Sequence, residues 1–321
     1  MNNCANIFEE NKTIFIVGPT ASGKSDIAHR LAIKFNRAEI ISADSMQVYK
    51  QIDVLTAKPS KEMLREIPYH LVGIKDIQEN YSARDFHDDA LRCITEIHSR
   101  KNIAIVVGGT GLYVRSLLRG IFEGPAAEKS FREEMNAIAN EKGSEALHTM
   151  LMQCDPVAAG SIPHQNVRRV IRALEVFYTT GKKISELQTE WNRPVANIHP
   201  HLGRLYIWGI YWPRSLLYDR INRRVDDMIE QGAVDEVKRL ITYGILNNPT
   251  ASQALGIHAL SDYIKGTVSL QTAVNLLKQN TRRFAKRQLT WFGREDLFEW
   301  FVLYNESSKF RILDLMLNNI A

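Results

Sequence analysis

Cysteine, long apolar runs and low-complexity tracts are scarce or absent in this sequence of 321 residues. The three cysteines, Cys4, Cys93 and Cys154, lie far apart and form no metal-ligand pattern, which argues against a disulfide framework and for a reducing compartment. No apolar run has the length of a membrane span, and the amino-terminal stretch lacks the apolar core of a signal peptide. We therefore expect a soluble, cytoplasmic protein without a membrane partner.

The bulk composition is that of an ordinary globular chain. Hydrophobic residues make up 45% and charged residues 24%, and no internal repeat at solenoid periods is present. A chain of this length can bury a sizeable core in one large domain or two modest ones. The net charge of +5 permits a polyanionic partner without requiring one, so the placement of the charge is the informative property.

A glycine-rich stretch between an apolar run and an amphipathic segment has the spacing of a P-loop. In such a loop, consecutive backbone N–H groups point at one phosphate cluster. The lysine reaches the outer phosphate oxygens, and the last hydroxyl meets a phosphate-bound Mg²⁺. The sequence therefore predicts that the chain binds a phosphorylated compound together with Mg²⁺. The residues of the loop are Gly18, Pro19, Thr20, Ala21, Ser22, Gly23, Lys24 and Ser25.

The alternation of apolar runs and amphipathic segments predicts βαβ units and a parallel sheet. From about 123 to 200 the strand-like runs disappear, and helical patterns take their place. We therefore predict an α/β fold, with a P-loop NTPase-like parallel sheet core built from 1–122 and 201–321 and an all-helical domain inserted at 123–200. Strands are predicted at 13–17, 39–42, 70–72, 103–107 and 204–211, and helices at 24–35, 83–99, 214–232, 233–243 and 270–292.

Asp44 follows the second predicted strand directly. A carboxylate at that place could be a general base, a Mg²⁺ ligand acting through water, or a helix cap. Because the carboxyl ends of the strands in an open α/β sheet meet at one edge, we expect Asp44 to lie beside the P-loop. A carboxylate there faces phosphates and metal.

A second glycine-rich loop, Gly108 to Gly111, follows the fourth predicted strand, where P-loop NTPases usually carry a Walker-B aspartate. The hydroxyl of Thr110 is placed to contact a phosphate oxygen in such a loop. The sequence also lacks the Asn-Lys-x-Asp guanine signature. These absences weigh against a molecular motor or switch and favour a phosphorylated compound that serves as substrate.

Basic residues cluster in three segments. One runs from Gln165 to Arg172, and one lies on the predicted helix 270–292, where acidic residues are absent and the basic side chains have no local partners. A nucleic-acid backbone is the natural partner of such clusters, although a solvated helix face is the alternative. The third segment, from Asp219 to Met228, mixes both signs of charge, and its Arg224 could bind a diphosphate through two hydrogen bonds. Trp291 and Phe292 could stack on bases, but a place in the core is favoured.

With these segments in hand, the chain resembles the tRNA dimethylallyltransferases, also called tRNA isopentenyltransferases. The matching motifs are GPTASGKS, ADSMQVY, GGTGLYV, NVRRVIRALEVFYTTGK and TRRFAKRQLTWF, which occur in that order from Gly18 to Phe292. One departure is Ile257, since similar enzymes commonly have tyrosine after the preceding glycine. That departure leaves a local packing or tRNA contact open.

The resemblance implies transfer of a dimethylallyl group from dimethylallyl diphosphate to N6 of the adenosine that follows the anticodon, in tRNAs that decode codons beginning with U. It also implies Mg²⁺ as cofactor, the tRNA anticodon stem-loop as partner and a flipped-out base inside the protein. Nothing in the sequence demands an obligate protein partner, so we expect a monomer.

The residues fit this chemistry in defined roles. Asp44 is predicted to take the proton from the adenine amine, while Lys24, Thr110 and Arg224 neutralise the departing diphosphate. Ser25 is predicted to hold Mg²⁺, with Asp44 joining through water. Contacts to tRNA are predicted for Asp44, Ser45, Met46, Gln47, Thr110, Arg132, Gln165, Asn166, Val167, Arg168, Arg169, Arg283 and Arg287.

Two functions from other classes remain open. A small-molecule kinase also begins with a P-loop after a strand, but the basic clusters would then have no purpose. A non-catalytic RNA-binding ATPase would use the basic clusters, but it does not explain a glycine-rich loop at the Walker-B position.

Overall fold

The computed structural model describes residues 11–121, 124–125, 128–189 and 200–320. In these ranges the strands form one sheet with the order β3-β2-β4-β1-β5-β6, in which all neighbours are parallel. The strands are β1 Lys12–Val17, β2 Ala38–Ser42, β3 Tyr69–His70, β4 Ile103–Gly108, β5 Arg204–Tyr211 and β6 Glu299–Val302. The predicted parallel α/β fold is therefore confirmed.

Helices connect the strands and fill the segment between β4 and β5. The predicted helices are confirmed, although the one predicted to end at 232 ends two residues earlier and the one predicted to end at 243 ends one residue earlier. The helices are α1 Lys24–Phe35, α2 Lys61–Glu66, α3 Ala83–Ser99, α4 Gly111–Arg119, α5 Lys129–Lys142, α6 Ser144–Cys154, α7 Pro156–Ser161, α8 Val167–Thr180, α9 Ile184–Thr189, α10 Arg214–Glu230, α11 Ala233–Thr242, α12 Ile257–Ile264, α13 Leu270–Phe292 and α14 Ser308–Ile320. No helix within the described ranges is both long enough and apolar enough to cross a bilayer.

The central strands are buried and mostly apolar because helices cover both of their faces. Every residue of β1 is buried, and β4 is buried from Ala104 onward. The edges were harder to predict. β3 is two residues long because Leu71 adopts a positive φ of 61° and ends it, and β6 is a short edge strand that the sequence pattern did not predict.

The chain divides into two compact units, Met1–Leu117 with Pro200–Ala321 and Leu118–His199. The described part of the second unit is helical and has a core of its own. The boundaries predicted from the sequence, and the role of the inserted segment in tRNA binding, stay predictions. The second unit is centred on the buried residues Met135, Leu147, Leu151, Ala158, Ala159, Ile162, Val170, Ile171, Ala173, Leu174, Val176 and Ile184.

A buried ion-pair network crosses the helical unit. Glu175 of α8 is fully buried and accepts a bidentate pair of hydrogen bonds from Arg132 of α5, at 2.8 and 2.7 Å. It also accepts from Arg172 at 2.5 Å and from the backbone N–H of Glu128 at 2.9 Å. Although burial would raise the pKa of the Glu175 carboxyl, the hydrogen bonds from the two arginines hold it below its ordinary value. Arg132 thus has a structural partner.

Removing this carboxylate should destabilise the helical unit strongly. In Glu175→Ala, two partly exposed guanidinium groups and the backbone N–H of Glu128 lose their common acceptor, and leaving such donors unsatisfied costs about 1–3 kcal/mol. Urea unfolding of the full chain, followed by circular dichroism, measures the loss. Glu134→Ala, an exposed change on α5, is the control and should stay within about 0.5 kcal/mol. Equal effects of the two substitutions would contradict a structural role for the network.

Candidate active site at the carboxyl edge of the sheet

The loops that carry the predicted site leave one edge of the sheet side by side. Ser42 of β2 pairs in register with Val107 of β4, and Val17 of β1 pairs with Gly108 of β4 and Gly209 of β5. The order along the edge is therefore the Asp44 turn, the Gly108–Gly111 loop, the P-loop and the start of α10. β4 lies between β2 and β1, so the strands that carry Asp44 and the P-loop are not neighbours, as the prediction had assumed, although Asp44 still lies close enough to Lys24 to act on its pKa.

The missing Walker-B aspartate has a steric cause. A Cβ atom at Gly108 would lie 2.1 Å from the carbonyl oxygen of Ala43, so no side chain fits there. The two loops are joined through their backbones: the Ala43 N–H donates to Val107 O at 2.8 Å, and the Thr110 N–H donates to Ala43 O at 3.2 Å. The glycine loop and the Asp44 turn form one connected unit.

Asp44 is both a cap and a carboxylate with an oxygen to spare. Its Oδ1 accepts from the backbone N–H groups of Met46 and Gln47, at 2.9 and 3.3 Å, whereas Oδ2 has no hydrogen bond from the described residues. Thr110 holds the same turn, since its Oγ1 accepts from the Ser45 N–H at 3.1 Å. The capping interpretation and the chemical one are therefore compatible, each using a different oxygen.

Two cations lie near Asp44 in a poorly solvated place. Burial lowers the pKa of the Lys24 ammonium to about 8; the charge of Asp44 opposes this shift and that of Arg224 adds to it. Burial also lowers the pKa of the Arg224 guanidinium, again against the effect of Asp44. The one hydrogen bond seen at Lys24 Nζ goes to Pro19 O at 3.3 Å. Two half-buried cations with one carboxylate near them form a site that a bound anion would stabilise.

Two residues that the sequence did not single out support the P-loop from α10 and the segment before it. Arg220 Nε donates to Ala21 O at 2.9 Å, and Trp212 Nε1 donates to Ser22 O at 2.9 Å. The guanidinium of Arg220 lies 4.2 Å from the centre of the Trp212 ring. The hydroxyl of Ser22 is buried and finds no partner in the described part of the chain.

The side-chain amide of Gln47 is bound within the protein. Its Oε1 accepts from Ser42 Oγ at 2.9 Å, and its Nε2 donates to Thr56 O at 3.1 Å and Ala57 O at 3.3 Å. Ser45 and Met46 are half-buried beside it. A contact from these three residues to an adenine stays a prediction, and for Gln47 it requires these bonds to be shared or exchanged.

The loop that receives Gln47 is itself fixed by a buried carboxylate. Glu236 of α11 is 2% exposed and accepts the backbone N–H groups of Asp53, Val54 and Leu55 at 2.7 to 3.0 Å. Sequence reasoning missed Glu236, whose only signal is an acidic residue on the apolar face of an amphipathic helix. Three donated hydrogen bonds satisfy its charge away from water.

Fewer basic side chains of α13 are free to bind a phosphate backbone than the sequence suggested. Lys278 pairs with Asp226 of α10 at 2.6 Å, and Arg282 donates to Asn222 of α10 at 2.6 Å. Neither partner is local in sequence, in agreement with the prediction, but α10 supplies groups for these two residues that are distant along the chain. Helix α13 ends in the core with Phe292, which is 1% exposed.

The remaining cations of α13 face solvent. Arg283, Lys286 and Arg287 are exposed, and no acidic side chain of the described residues pairs with them. Such an unpaired stripe is suited to phosphates. Ile257, at the position where similar enzymes commonly have tyrosine, is fully buried at the start of α12 and is a core residue here.

In the helical unit, the predicted tRNA contacts cluster at the start of α8. Gln165, Asn166, Arg168 and Arg169 are exposed, and Val167 is half-buried. These exposed polar residues and the helix N-terminus present donors to solvent. Arg132 of α5 is the other predicted tRNA contact in this unit. Its guanidinium already donates to the buried Glu175 of α8, and its contact with tRNA stays a prediction.

The protein oxygens at this site suit a Mg²⁺ ion that is held mainly by the phosphates of a bound compound. Ser25 is exposed in the first turn of α1, and Asp44 has one unengaged oxygen. The described residues contain no group of three or more His, Cys, Asp or Glu side chains that could form a protein cage for a metal. Mg²⁺ is commonly bound through one or two protein oxygens, water and substrate phosphates, and these residues fit that mode.

The comparisons with known proteins agree with one another. The family model for IPP transferase matches residues 47–295. The tRNA dimethylallyltransferase of Carboxydothermus hydrogenoformans is 47% identical over 92% of this chain and 93% of that protein, and the one of Halalkalibacterium halodurans is 42% identical over 95% and 96%.

Solved structures extend the similarity to the fold. The full-length tRNA isopentenylpyrophosphate transferase from Bacillus halodurans has 40% identity and a TM-score of 0.68, with 97% of each chain covered. A eukaryotic dimethylallyltransferase acting on tRNA has 30% identity and a TM-score of 0.77, with 96% of this chain and 80% of that chain covered.

The lowered pKa of Lys24 predicts how the affinity for inorganic diphosphate depends on pH. The anion binds the charged ammonium, so the affinity should be highest at neutral pH and fall as pH rises through about 8. In Lys24→Arg the cation keeps its proton at every accessible pH, so this part of the decline should disappear. Titration calorimetry of both proteins across that range measures it, and parallel profiles would show that Lys24 does not hold the anion.

Proposed function

Because the chain belongs to the tRNA dimethylallyltransferase (IPP transferase) family, we propose that it transfers a dimethylallyl group from dimethylallyl diphosphate to N6 of the adenosine that follows the tRNA anticodon. The tRNAs are those that decode codons beginning with U, and the products are N6-(dimethylallyl)adenosine and diphosphate. The observation that carries the proposal is a pair of half-buried cations, Lys24 and Arg224, close to the carboxylate of Asp44, whose Oδ2 accepts no hydrogen bond from the described residues.

The leaving group is placed between the two glycine loops. As the bond between the allylic carbon and its oxygen breaks, the electron pair goes to diphosphate, and the developing charge must be neutralised. Lys24 and Arg224 supply positive charge where little water competes, and the hydroxyls of Ser22 and Thr110 are suited to donate to phosphate oxygens. Mg²⁺, with Ser25 as its protein ligand, supplies further charge neutralisation when bound.

Asp44 is the proposed base. The amine of adenine is a weak nucleophile because its lone pair is delocalised into the ring, so it must lose a proton as N6 forms its bond to carbon. The free Oδ2 of Asp44 accepts that proton, while Oδ1 keeps the turn in place through Met46 and Gln47. The same carboxylate would therefore activate the amine and lies near Lys24 and Arg224.

We propose that the exposed cations bind the phosphate backbone of tRNA. Arg283 and Arg287 of α13, and Arg168 and Arg169 of α8, are exposed, and no described acidic residue pairs with them. The adenine must leave its stack to reach the allylic carbon, so contacts to the backbone on either side have to stabilise an unstacked strand. The monomeric state and the cytoplasmic location stay predictions from the sequence.

Kinase activity is the competing hypothesis, and the loop after β4 argues against it. Gly108 leaves no room for the carboxylate that P-loop NTPases place there for Mg²⁺. A direct test uses bulk tRNA, Mg²⁺ and either labelled dimethylallyl diphosphate or γ-labelled ATP. Label should enter tRNA from the first compound only. Phosphate transfer to a small molecule without prenylated tRNA would overturn the proposal.

Asp44→Asn should abolish most turnover and leave tRNA binding intact. The amide oxygen can still accept from Met46 and Gln47, so the turn persists, but the group no longer takes a proton. We expect kcat to fall by about 10²–10⁴-fold, the usual contribution of a general base. Asp262→Asn, the same change in an exposed carboxylate on α12, is the control and should leave kcat within a few-fold. If kcat of Asp44→Asn also stays within a few-fold, Asp44 is not the base.

Arg283→Ala and Arg287→Ala should weaken tRNA binding and flatten its dependence on salt. Removing one cation that binds a phosphate lowers the slope of log affinity against log salt by about one unit. Filter binding over a series of KCl concentrations gives the slope. Lys278→Ala is the matched control, because Lys278 lies on the same helix but is paired with Asp226. A slope that changes equally in the control and the arginine variants would contradict the assignment.

A further inference from the structure

One buried glutamine joins the two glycine loops. Gln288 of α13 is 7% exposed; its Oε1 accepts from the backbone N–H of Thr20 at 2.8 Å, and its Nε2 donates to Gly109 O at 2.9 Å. We propose that Gln288 is a positioning residue, which sets the separation of Lys24 and Thr110 across the bound diphosphate by locking the P-loop to the second glycine loop. This inference rests on the proposed function.

The contact is too close to be incidental. A Cβ atom at Gly109 would lie 2.2 Å from Gln288 Nε2 and 3.2 Å from Gly18 O, so the helix and both loops meet with no side chain between them. The amide uses one acceptor and one donor, each on a different loop. A single planar group therefore fixes the distance between two backbone segments.

The rest of the buried face of α13 shows why this residue is unusual. Thr281, the other buried polar side chain of the helix, donates to Leu277 O within α13 itself and reaches no other element. Ala285 and Phe292 are apolar core residues. An amide buried without partners would cost about 1–3 kcal/mol. Gln288 avoids that cost only while both loops stay where they are.

The cross-link also decides which backbone donors remain for the ligand. The Thr20 N–H is engaged by Gln288, so the binding of diphosphate depends on the other N–H groups of the loop and on Lys24. Catalytic electrostatics requires these groups to be in place before charge develops. A displacement of about 1 Å in such a site can cost about 100-fold in rate.

Two substitutions separate positioning from bulk packing. Gln288→Leu removes both hydrogen bonds. Gln288→Glu keeps an acceptor for the Thr20 N–H but, when ionised, cannot donate to Gly109 O. With tRNA saturating, we expect kcat to fall by about 10–100-fold in both variants. The affinity for tRNA should stay within a few-fold, because the exposed cations of α13 are untouched.

The pH profile supplies a readout that weaker packing would not move. When the carboxyl group introduced by Gln288→Glu is protonated, it can again donate to Gly109 O. The activity of this variant relative to the wild type should therefore recover as pH is lowered, whereas Gln288→Leu should show no recovery. Gln271→Glu makes the same change at the far end of α13, roughly 25 Å away at 1.5 Å per residue, and should behave like the wild type.

Calorimetry with inorganic diphosphate keeps the test independent of transfer activity. Both Gln288 variants should bind diphosphate at least several-fold more weakly, with thermal unfolding used to confirm that they are folded. The positioning role would be overturned if Gln288→Leu kept the diphosphate affinity and the kcat of the wild type to within threefold. If the leucine variant does not fold, the same criterion applies to Gln288→Glu. An equal loss of kcat in both variants, with no recovery of the activity of Gln288→Glu at low pH, would also overturn it. Absence of label transfer by the wild type would instead overturn the proposed function.

Discussion

The site depends on keeping two cations partly out of water at the edge of a parallel sheet. Lys24 and Arg224 both have lowered pKa values because burial opposes their charge, and Asp44 is the one carboxylate that acts on both. A fold would not place charges in this way for stability, since removing a cation from water costs free energy. The binding of an anion would offset this cost, and this is the role that we propose for the arrangement.

The surrounding structure serves to hold that arrangement rigid. Arg220 and Trp212 bind the carbonyl groups of the P-loop from one side, and Gln288 binds its backbone from the other. Glu236 fixes the loop that receives the amide of Gln47. Each of these supports comes from the second half of the chain. The P-loop is therefore a local motif whose geometry is imposed by distant segments.

The sequence predicted the elements of the core well, because apolar strands buried on both faces and helices with a continuous apolar stripe leave strong periodic signals. It also predicted which loops carry chemistry. The order of the strands was not available to it, and so the strands that carry Asp44 and the P-loop were expected to be neighbours, although β4 lies between them. Side-chain partnerships were missed for the same reason: Gln288 and Glu236 act on backbone groups more than a hundred residues away.

The glycine at the end of β4 links this topology to the reaction. A P-loop that hydrolyses or transfers a phosphoryl group needs a carboxylate on the neighbouring strand to hold Mg²⁺ over the phosphates. Here Ala43 O fills the space where that side chain would start at Gly108, and the carboxylate stands on β2, one strand further out. A carboxylate that follows this outer strand fits the proposed role of Asp44, which is to act on a nucleophile that attacks carbon while the diphosphate is the leaving group.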